Sequence, residues 1–457
     1  MKFDGVALRA QLKSPHSLIT ELSDQEAYFH DATQFTATPL AILKAESTDD
    51  VVIAVRFCRQ HDIAITPRGA GTGLSGGCVP APDALIISTE NLKFLDIRAA
   101  ERLAVCGAGV ITKDIEHAAS EHMLCYPPDP ASWQESTIGG NVAEGAGGLR
   151  CKRFGVTKDY VIGLKAVLAD GSLVNTGIFN NDRGLNLGDL FIASEGTLAI
   201  ITEIAVRLTV PITSGTVILV SFDRPKDAAQ TVSDITAEGI IPTILEFLDG
   251  DAAACSNAYE KTEGLDNAAA VLLIETSDNG LADQASRIEA ICMKNRCAHF
   301  RRESDPDKAE ALWKVRRNLS KAIKEMAAYR ISEDVVVPNS KFPALVDWVA
   351  DLNRRSPLRI NSFGHAGDGN LHVVFLASDT SPQTMALIEA GVAELMHETI
   401  KLGGTLTGEH GIGLAKRKYL SLEFDSPTLG LMQTIKAVFD PDGRLNPDKL
   451  LGAPASQ

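Results

Sequence analysis

The chain is predicted to be an α+β protein of several packed units, and three observations predict it. Its 457 residues correspond to about three domains on a length prior, ample for a substantial buried core. Apolar runs of strand length recur between turn signals, with only a few stretches at helical spacing. Glycine also clusters in three widely separated loops.

Composition narrows the class. With 45% hydrophobic and 23% charged residues the chain reads as soluble and globular. Its net charge of −15, from 44 basic and 59 acidic residues, argues against a nucleic-acid partner or an anionic membrane surface. The eight cysteines form no CxxC pair, so neither an iron–sulfur cluster nor a zinc ribbon is written here, and their scatter suits reduced thiols. The start, MKFDGVALRAQLKSPHSL, lacks the apolar core of a signal peptide, and nothing later reads as a transmembrane segment. A cytoplasmic protein is expected, and peripheral attachment to the membrane through a partner would leave no mark in the sequence.

Residues 1–34 read as a polar helical lead-in. Thr48 is then placed as the cap of an amphipathic helix through Val51, Val52, Val55 and Cys58, followed by the strand IAIT at 63–66. The loop PRGAGTGLSGG, Pro67 to Gly77, has five glycines in eleven residues, which leave backbone N–H groups available as an anion nest for a diphosphate. It is neither a Rossmann turn, since no helix-periodic stretch follows, nor a P-loop, since Gly-Lys-Ser/Thr is missing. A second glycine-rich segment lies in YPPDPASWQESTIGGNVAEGAGGLR (126–150). KAVLADGSLVNTG reads as a hairpin with Asp170 and Gly171 at its tip, and FIASEGTLAIITEIAVRL (191–208) as a Ser-Glu-Gly turn entering a strand. Three such loops suit a large, extended cofactor lying across an α+β domain.

The densest chemistry lies in Arg359 to Leu376, RINSFGHAGDGNLHVVFL. Asp368 and Gly369 are the pair a two-residue hairpin loop favours, and counting outward from them sets His365 opposite His372. Opposed residues have Cβ atoms roughly 4.5–5.5 Å apart, close enough to share a metal ion. TLTGEHGIGLAK, from Thr405, adds Glu409 and a third imidazole, His410. We read His365, His372 and Glu409 as a metal site, with His410 left as a base. A lone histidine is more often a satisfied core residue, but three of the chain's ten histidines gather in these two stretches. Trp313, Arg316, Arg317 and Asn318 are read as opening a helix continued by Leu319, Ile323 and Met326.

Taken in order, PRGAGTGLSGG, TIGGNVAEGAGGLR, SEGTLAIITE, GHAGDGNLH, TGEHGIG and DPDGRLNPDKL resemble the FAD-linked oxidoreductases of the vanillyl-alcohol-oxidase and p-cresol-methylhydroxylase type. Within them the chain is similar to the 2-hydroxyacid branch, which includes D-lactate dehydrogenase, the flavoprotein subunit of glycolate oxidase and D-2-hydroxyglutarate dehydrogenase. The resemblance runs from about Ala41 to Leu451. It implies a lead-in (1–34), a two-part FAD-binding domain (35–210), an α+β, ferredoxin-like cap carrying substrate and metal (211–420), and a C-terminal segment returning to the flavin (421–457).

It also implies residues. Pro67, Arg68, Gly69, Ala70, Gly71, Thr72, Gly73, Leu74, Ser75 and Gly76 would wrap the diphosphate. Pro128, Asp129, Ser132, Thr137, Gly139, Gly140, Asn141, Gly145 and Gly148 would line the flavin, with Glu195 and Gly196 closing the adenine and ribose end and Asn446 contributed by the C-terminal segment. The last loop departs from relatives with Ala193 and Ala199 in place of glycine. Thr72 stands where covalent relatives carry a histidine, so the FAD is expected to be noncovalent. Arg316 is placed at the substrate carboxylate, where a guanidinium can form paired hydrogen bonds, and Arg317 is read as a surface charge.

The resemblance implies oxidation of a small D-2-hydroxy acid, of the D-lactate or glycolate type, to the 2-oxo acid. Flavin would take the hydride, a zinc or manganese ion on His365, His372 and Glu409 would bind the hydroxyl oxygen, and His410 would take the proton. D-2-hydroxyglutarate dehydrogenase is the alternative. Those enzymes bring a lysine just before the VVVP-like strand, whereas this chain has Ser332, Glu333 and Asp334 there, an acidic pair expected to repel a second carboxylate. A non-catalytic electron-transfer flavoprotein is the reading from another class. Electrons must leave to an acceptor outside the chain, such as an iron–sulfur partner subunit, an electron-transfer flavoprotein, a cytochrome, a quinone or oxygen. A homodimer is compatible with this reading.

Overall fold

A computed structural model of the chain describes residues 3–180, 184–211, 215–276 and 284–451. The chain divides into two compact units, one of Met1–Gly148, Gly155–Pro211 and Glu409–Gln457, the other of Leu149–Phe154 and Ile212–Gly408.

In the first unit a four-stranded sheet runs in the order Leu18–Ile19, Ala41–Lys44, Leu85–Ser88, Ile65–Arg68, with the last three mutually parallel. The helix Thr48–His61 joins Ala41–Lys44 to Ile65–Arg68, and buries Val51, Ala54, Val55 and Cys58 at helical spacing. Its cap is Ser47 and not Thr48: the Ser47 hydroxyl accepts from the Asp50 N–H at 3.1 Å, and Thr48 is the first helical residue. The strand expected at 63–66 starts two residues later, at Ile65.

The lead-in is α-helical over Gly5–Gln11, with short 3₁₀ turns at Pro15–Ser17 and Glu26–Tyr28, and it is less polar in role than its composition suggests. Leu8, Leu12 and Leu18 join the core beneath the four-stranded sheet. The buried Asp50 carboxylate holds the segment in place, accepting from the Lys13 and Ser14 N–H groups at 2.7 and 3.2 Å.

A second, five-stranded antiparallel sheet runs in the order Leu95–Arg98, Leu103–Gly107, Ile200–Arg207, Val161–Val167, Leu173–Asn175. The hairpin read at Asp170 and Gly171 is there, with Val167 opposite Leu173 and Gly171 at φ +79°.

The second unit carries a seven-stranded antiparallel sheet in the order His299–Glu303, Val217–Phe222, Ala270–Glu275, Ile244–Asp249, Arg359–Gly364, Asn370–Ala377, Tyr329–Val336. Its first four strands, with the helices Pro225–Ala237 and Gln284–Lys294, form the ferredoxin-like arrangement expected of this region. The rest repeats part of the pattern. Strand Tyr329–Val336, helix Phe342–Arg355, strands Arg359–Gly364 and Asn370–Ala377 and helix Pro382–Lys401 again run strand, helix, strand, strand, helix. The two halves meet where their second strands, Ile244–Asp249 and Arg359–Gly364, pair. The sequence alone shows no such repeat. Strands Val217–Phe222, Ala270–Glu275 and Asn370–Ala377 are buried on both faces and read as plain apolar runs, which leaves little pattern to align.

Asp249 ends the strand at that seam. Its carboxylate caps the helix Gly250–Tyr259 by accepting from the Ala252 N–H at 2.8 Å, and also accepts from the Ser362 hydroxyl at 2.8 Å. No helix among the described residues is long and apolar enough to cross a membrane.

Burial raises the Asp249 carboxyl from 3.8 to about 6 against these hydrogen bonds. A raised folded-state value means that the protonated form is favoured by folding, so this stabilisation is complete below 3.8 and is lost as pH rises through about 6. The stability of the wild-type protein relative to Asp249→Asn should therefore fall between about pH 4 and pH 6, measured by parallel thermal unfolding; a difference independent of pH would contradict the shift.

Candidate metal and substrate site

The site forms on one face of the seven-stranded sheet. Phe247 pairs with Gly364 and Leu248 with Phe363, so one step further along the same register sets Glu246 opposite His365. Phe363 pairs with His372, and His372 with Asp334. Opposed residues share a face, as do residues two apart on a strand, so Glu246, Phe363, His365, His372 and Asp334 line up across four neighbouring strands.

The turn differs from the two-residue hairpin expected. Strand pairing stops at Gly364, a short 3₁₀ turn spans Ala366–Asp368, and Gly369 takes φ +75°. The residue facing His372 is Phe363, not His365. This slip of two positions preserves the face, because side chains alternate with a period of two. The two imidazoles are therefore diagonal neighbours, and their ring centroids are 5.3 Å apart at 89°.

Arg316 and His365 are joined by Glu246, a residue that the sequence reading did not single out. Arg316 Nε donates to Glu246 Oε2 at 2.6 Å, and His365 Nδ1 lies 2.6 Å from Glu246 Oε1. Burial by itself would raise the Glu246 carboxyl, but the His365 ring and the Arg316 guanidinium bonded to it outweigh that and lower it to about 2. The guanidinium also lies over the Phe363 ring, 5.1 Å from its centroid.

The only sequence signal for Glu246 was an acid inside the apolar strand ILEFLD. The helix bearing Arg316 also begins earlier than its apolar spacing suggests. It runs Pro306–Arg317, capped by Asp305, so Trp313 to Asn318 close it, and a second helix follows at Leu319–Met326. Arg317 is half-exposed and pairs with Glu310, as a surface charge should.

Asp334 and Glu333 are not a pair facing one site, since neighbouring strand residues point to opposite faces. The buried Asp334 carboxylate accepts from the Gly408 N–H at 2.7 Å and the Thr407 hydroxyl at 3.1 Å, and so fixes the backbone just before Glu409. His365, His372 and Glu409 each offer a ligand atom, and these atoms lie within 4.8 Å of one another. Two imidazoles and a carboxylate are a donor set that suits zinc or manganese.

His410 is half-buried. The backbone just past it is held by Glu195, whose two oxygens accept from the Ile412 and Gly413 N–H groups at 2.7 and 2.6 Å. Burial keeps the Glu195 carboxyl above the ordinary range despite these donors.

In the glycine-rich segments of the first unit, several side chains proposed from sequence hold the loops together. The Arg68 guanidinium turns back to the lead-in and donates to the Ala27 and His30 carbonyls at 2.7 and 2.8 Å. Thr137 caps the helix Ile138–Glu144, and the Asn141 amide donates to Thr112 Oγ1 at 2.6 Å. The Asn446 amide donates to the carbonyls of Gly77 and Glu195 at 2.9 and 2.7 Å, tying the first loop to the third. Gly69 lies so close to Thr137 Oγ1 that any Cβ there would collide with it. Loops held in this way present backbone, as binding of an extended anionic cofactor requires.

Residues 39–177 match the family model described as an FAD binding domain, and residues 213–450 match that of the C-terminal domain of FAD linked oxidases. The chain belongs to the FAD-linked oxidase family. This FAD-linked oxidase is 37% identical to the glycolate oxidase subunit GlcD of Bacillus subtilis, over 97% of this chain and 96% of that one. It is 32% identical to a D-lactate dehydrogenase of Archaeoglobus fulgidus over 93% and 96% of the two chains, and 33% identical to a D-2-hydroxyglutarate dehydrogenase of Xanthomonas citri over 95% and 94%. Its fold is that of p-cresol methylhydroxylase, with a TM-score of 0.79 at 15% identity over 99% of this chain and 97% of that one. It is an FAD-dependent oxidoreductase of the 2-hydroxyacid dehydrogenase branch.

Gly408 has no room for a side chain. A Cβ there would collide with the Asn370 amide and sit 2.8 Å from Val336 Cγ2. Gly408→Ala in this oxidase should cost about 1–3 kcal/mol, seen as a lowered melting temperature of the FAD-loaded protein, whereas an unchanged melting temperature would show that the strand yields freely.

Proposed function

We propose that the chain oxidises a small D-2-hydroxy acid, of the D-lactate or glycolate type, to the corresponding 2-oxo acid. The observation that carries this reading is the convergence of His365, His372 and Glu409 on one point, with the buried Arg316 bonded to the carboxylate that holds His365. A hydroxyl and its neighbouring carboxylate are the two groups such an arrangement can grip.

Bound FAD supplies the acceptor for two electrons that no side chain provides. A divalent zinc or manganese ion held by His365, His372 and Glu409 would supply Lewis acidity toward the substrate hydroxyl. Arg316 keeps its Nε on Glu246, which leaves the Nη1 and Nη2 edge of the guanidinium for the substrate carboxylate. His410 accepts the hydroxyl proton as general base. Thr72 in the first loop offers no site for covalent attachment, so denaturation should release the flavin intact.

Preference for a monocarboxylate over D-2-hydroxyglutarate rests on what the strand Tyr329–Val336 lacks. No lysine precedes its VVV run, while Asp334 is occupied by Gly408 and Thr407 and so exerts less of the repulsion inferred from sequence. The chain carries no iron–sulfur, haem or nicotinamide motif of its own, so turnover would call for an acceptor outside it: an iron–sulfur partner, an electron-transfer flavoprotein, a cytochrome, a quinone or oxygen.

Anaerobic addition of D-lactate or glycolate should bleach the flavin absorbance, with D-2-hydroxyglutarate and D-malate much slower; preferential bleaching by the dicarboxylates would overturn the substrate assignment. His410→Ala should retain FAD and lose turnover by about two to four orders of magnitude, and a fully active variant removes His410 from the reaction. Chelation should abolish turnover and added zinc or manganese restore it, whereas activity indifferent to both leaves the paired histidines as structural residues.

A further inference from the structure

We propose that Glu246 is a positioning residue with two clients, holding the metal-ligating imidazole of His365 and the substrate-binding guanidinium of Arg316 in one rigid frame. The inference rests on the metal and substrate roles proposed above for those two side chains.

The geometry is specific. The Glu246 side chain has no exposed surface, and each of its oxygens bonds a different partner at 2.6 Å. Both partners are themselves at least nine-tenths buried, so neither can drift into solvent and return in another pose. The contact to His365 uses Nδ1. A carboxylate can only accept, so Nδ1 carries the proton and Nε2 is left with the lone pair that a cation needs. A charged acceptor behind the ring also strengthens the imidazole as a donor to a metal.

The contact to Arg316 uses Nε, one corner of the planar fork. Fixing that corner fixes the plane in which the remaining two nitrogens present their N–H groups. One acid thus sets the orientation of both groups, and the distance between them follows from the width of a single carboxylate.

Stability alone is a poor account of this arrangement. A buried ion pair is often no better than well-packed apolar residues of similar volume, because desolvation offsets the attraction. Apolar side chains occupy the neighbouring positions of the strand, Leu245, Phe247 and Leu248. An acid in their midst is explained by what it orients.

The test uses the FAD-loaded full chain, with zinc alone as probe, titrated against a chromogenic chelator. Glu246→Gln keeps the size and removes the charge and one acceptor. It should weaken zinc binding by about 10- to 100-fold while the flavin spectrum stays unchanged, and it should raise KM for the bleaching hydroxy acid more than it lowers kcat. Zinc affinity within twofold of wild type overturns the proposal. Failure of the wild-type protein to bind zinc sinks the metal site itself, and this inference with it, so the two failures are told apart. Should Glu246→Gln not fold, the ¹⁵N shifts of the His365 ring in metal-free wild type decide: protonation at Nδ1 is expected, and protonation at Nε2 overturns the assignment.

Discussion

Pairing between Ile244–Asp249 and Arg359–Gly364 is the constraint on which the rest depends. It joins the two halves of the seven-stranded sheet and sets Glu246 across from His365. A slip of one residue would send the whole row of polar side chains to the opposite face. A slip of two would keep the face but bring Ile244 to His365, leaving a buried guanidinium and a buried imidazole without their acid. The register is pinned from the far end as well, where Asp249 takes the Ser362 hydroxyl. Two carboxylates on one strand therefore act together, Asp249 locking the alignment and Glu246 benefiting from it.

The row also ends in an acid on its other side. Asp334 holds Gly408, as Glu246 holds His365, so each arm of the proposed ligand set has a fully buried carboxylate behind it. Preorganisation of this sort places orienting groups ahead of ligand arrival, so binding need not pay for ordering loose side chains.

Much of this was readable in the sequence, and the misses have physical causes. His365, His372 and Glu409 stood out because an Asp-Gly turn and a glycine-flanked acid are local signals. The hairpin count missed by two because the turn is a longer 3₁₀ loop, yet the histidines still met because parity survives an even slip. Glu246 lay hidden because its partners stand 70 and 119 residues away, and nothing local distinguishes it from core. The start of the Arg316 helix is written as Asp305 before Pro306 at its first position, but the apolar spacing further on fits a later start equally well. The glycine loops were found by composition, whereas the uses of Arg68, Thr137, Asn141 and Asn446 as braces required long-range contacts to see.

The first glycine loop has a distant anchor. Leu445 pairs with Ile65 at the loop's entry strand, the Asn446 N–H donates to the Ile65 carbonyl at 2.7 Å, and its side chain reaches Gly77 and Glu195. The strut from Asn446 to Gly77 spans 369 residues of sequence, so the loop cannot close on local contacts alone. A contact this remote closes late in folding, so the shape of the loop reports on assembly of the first unit as a whole.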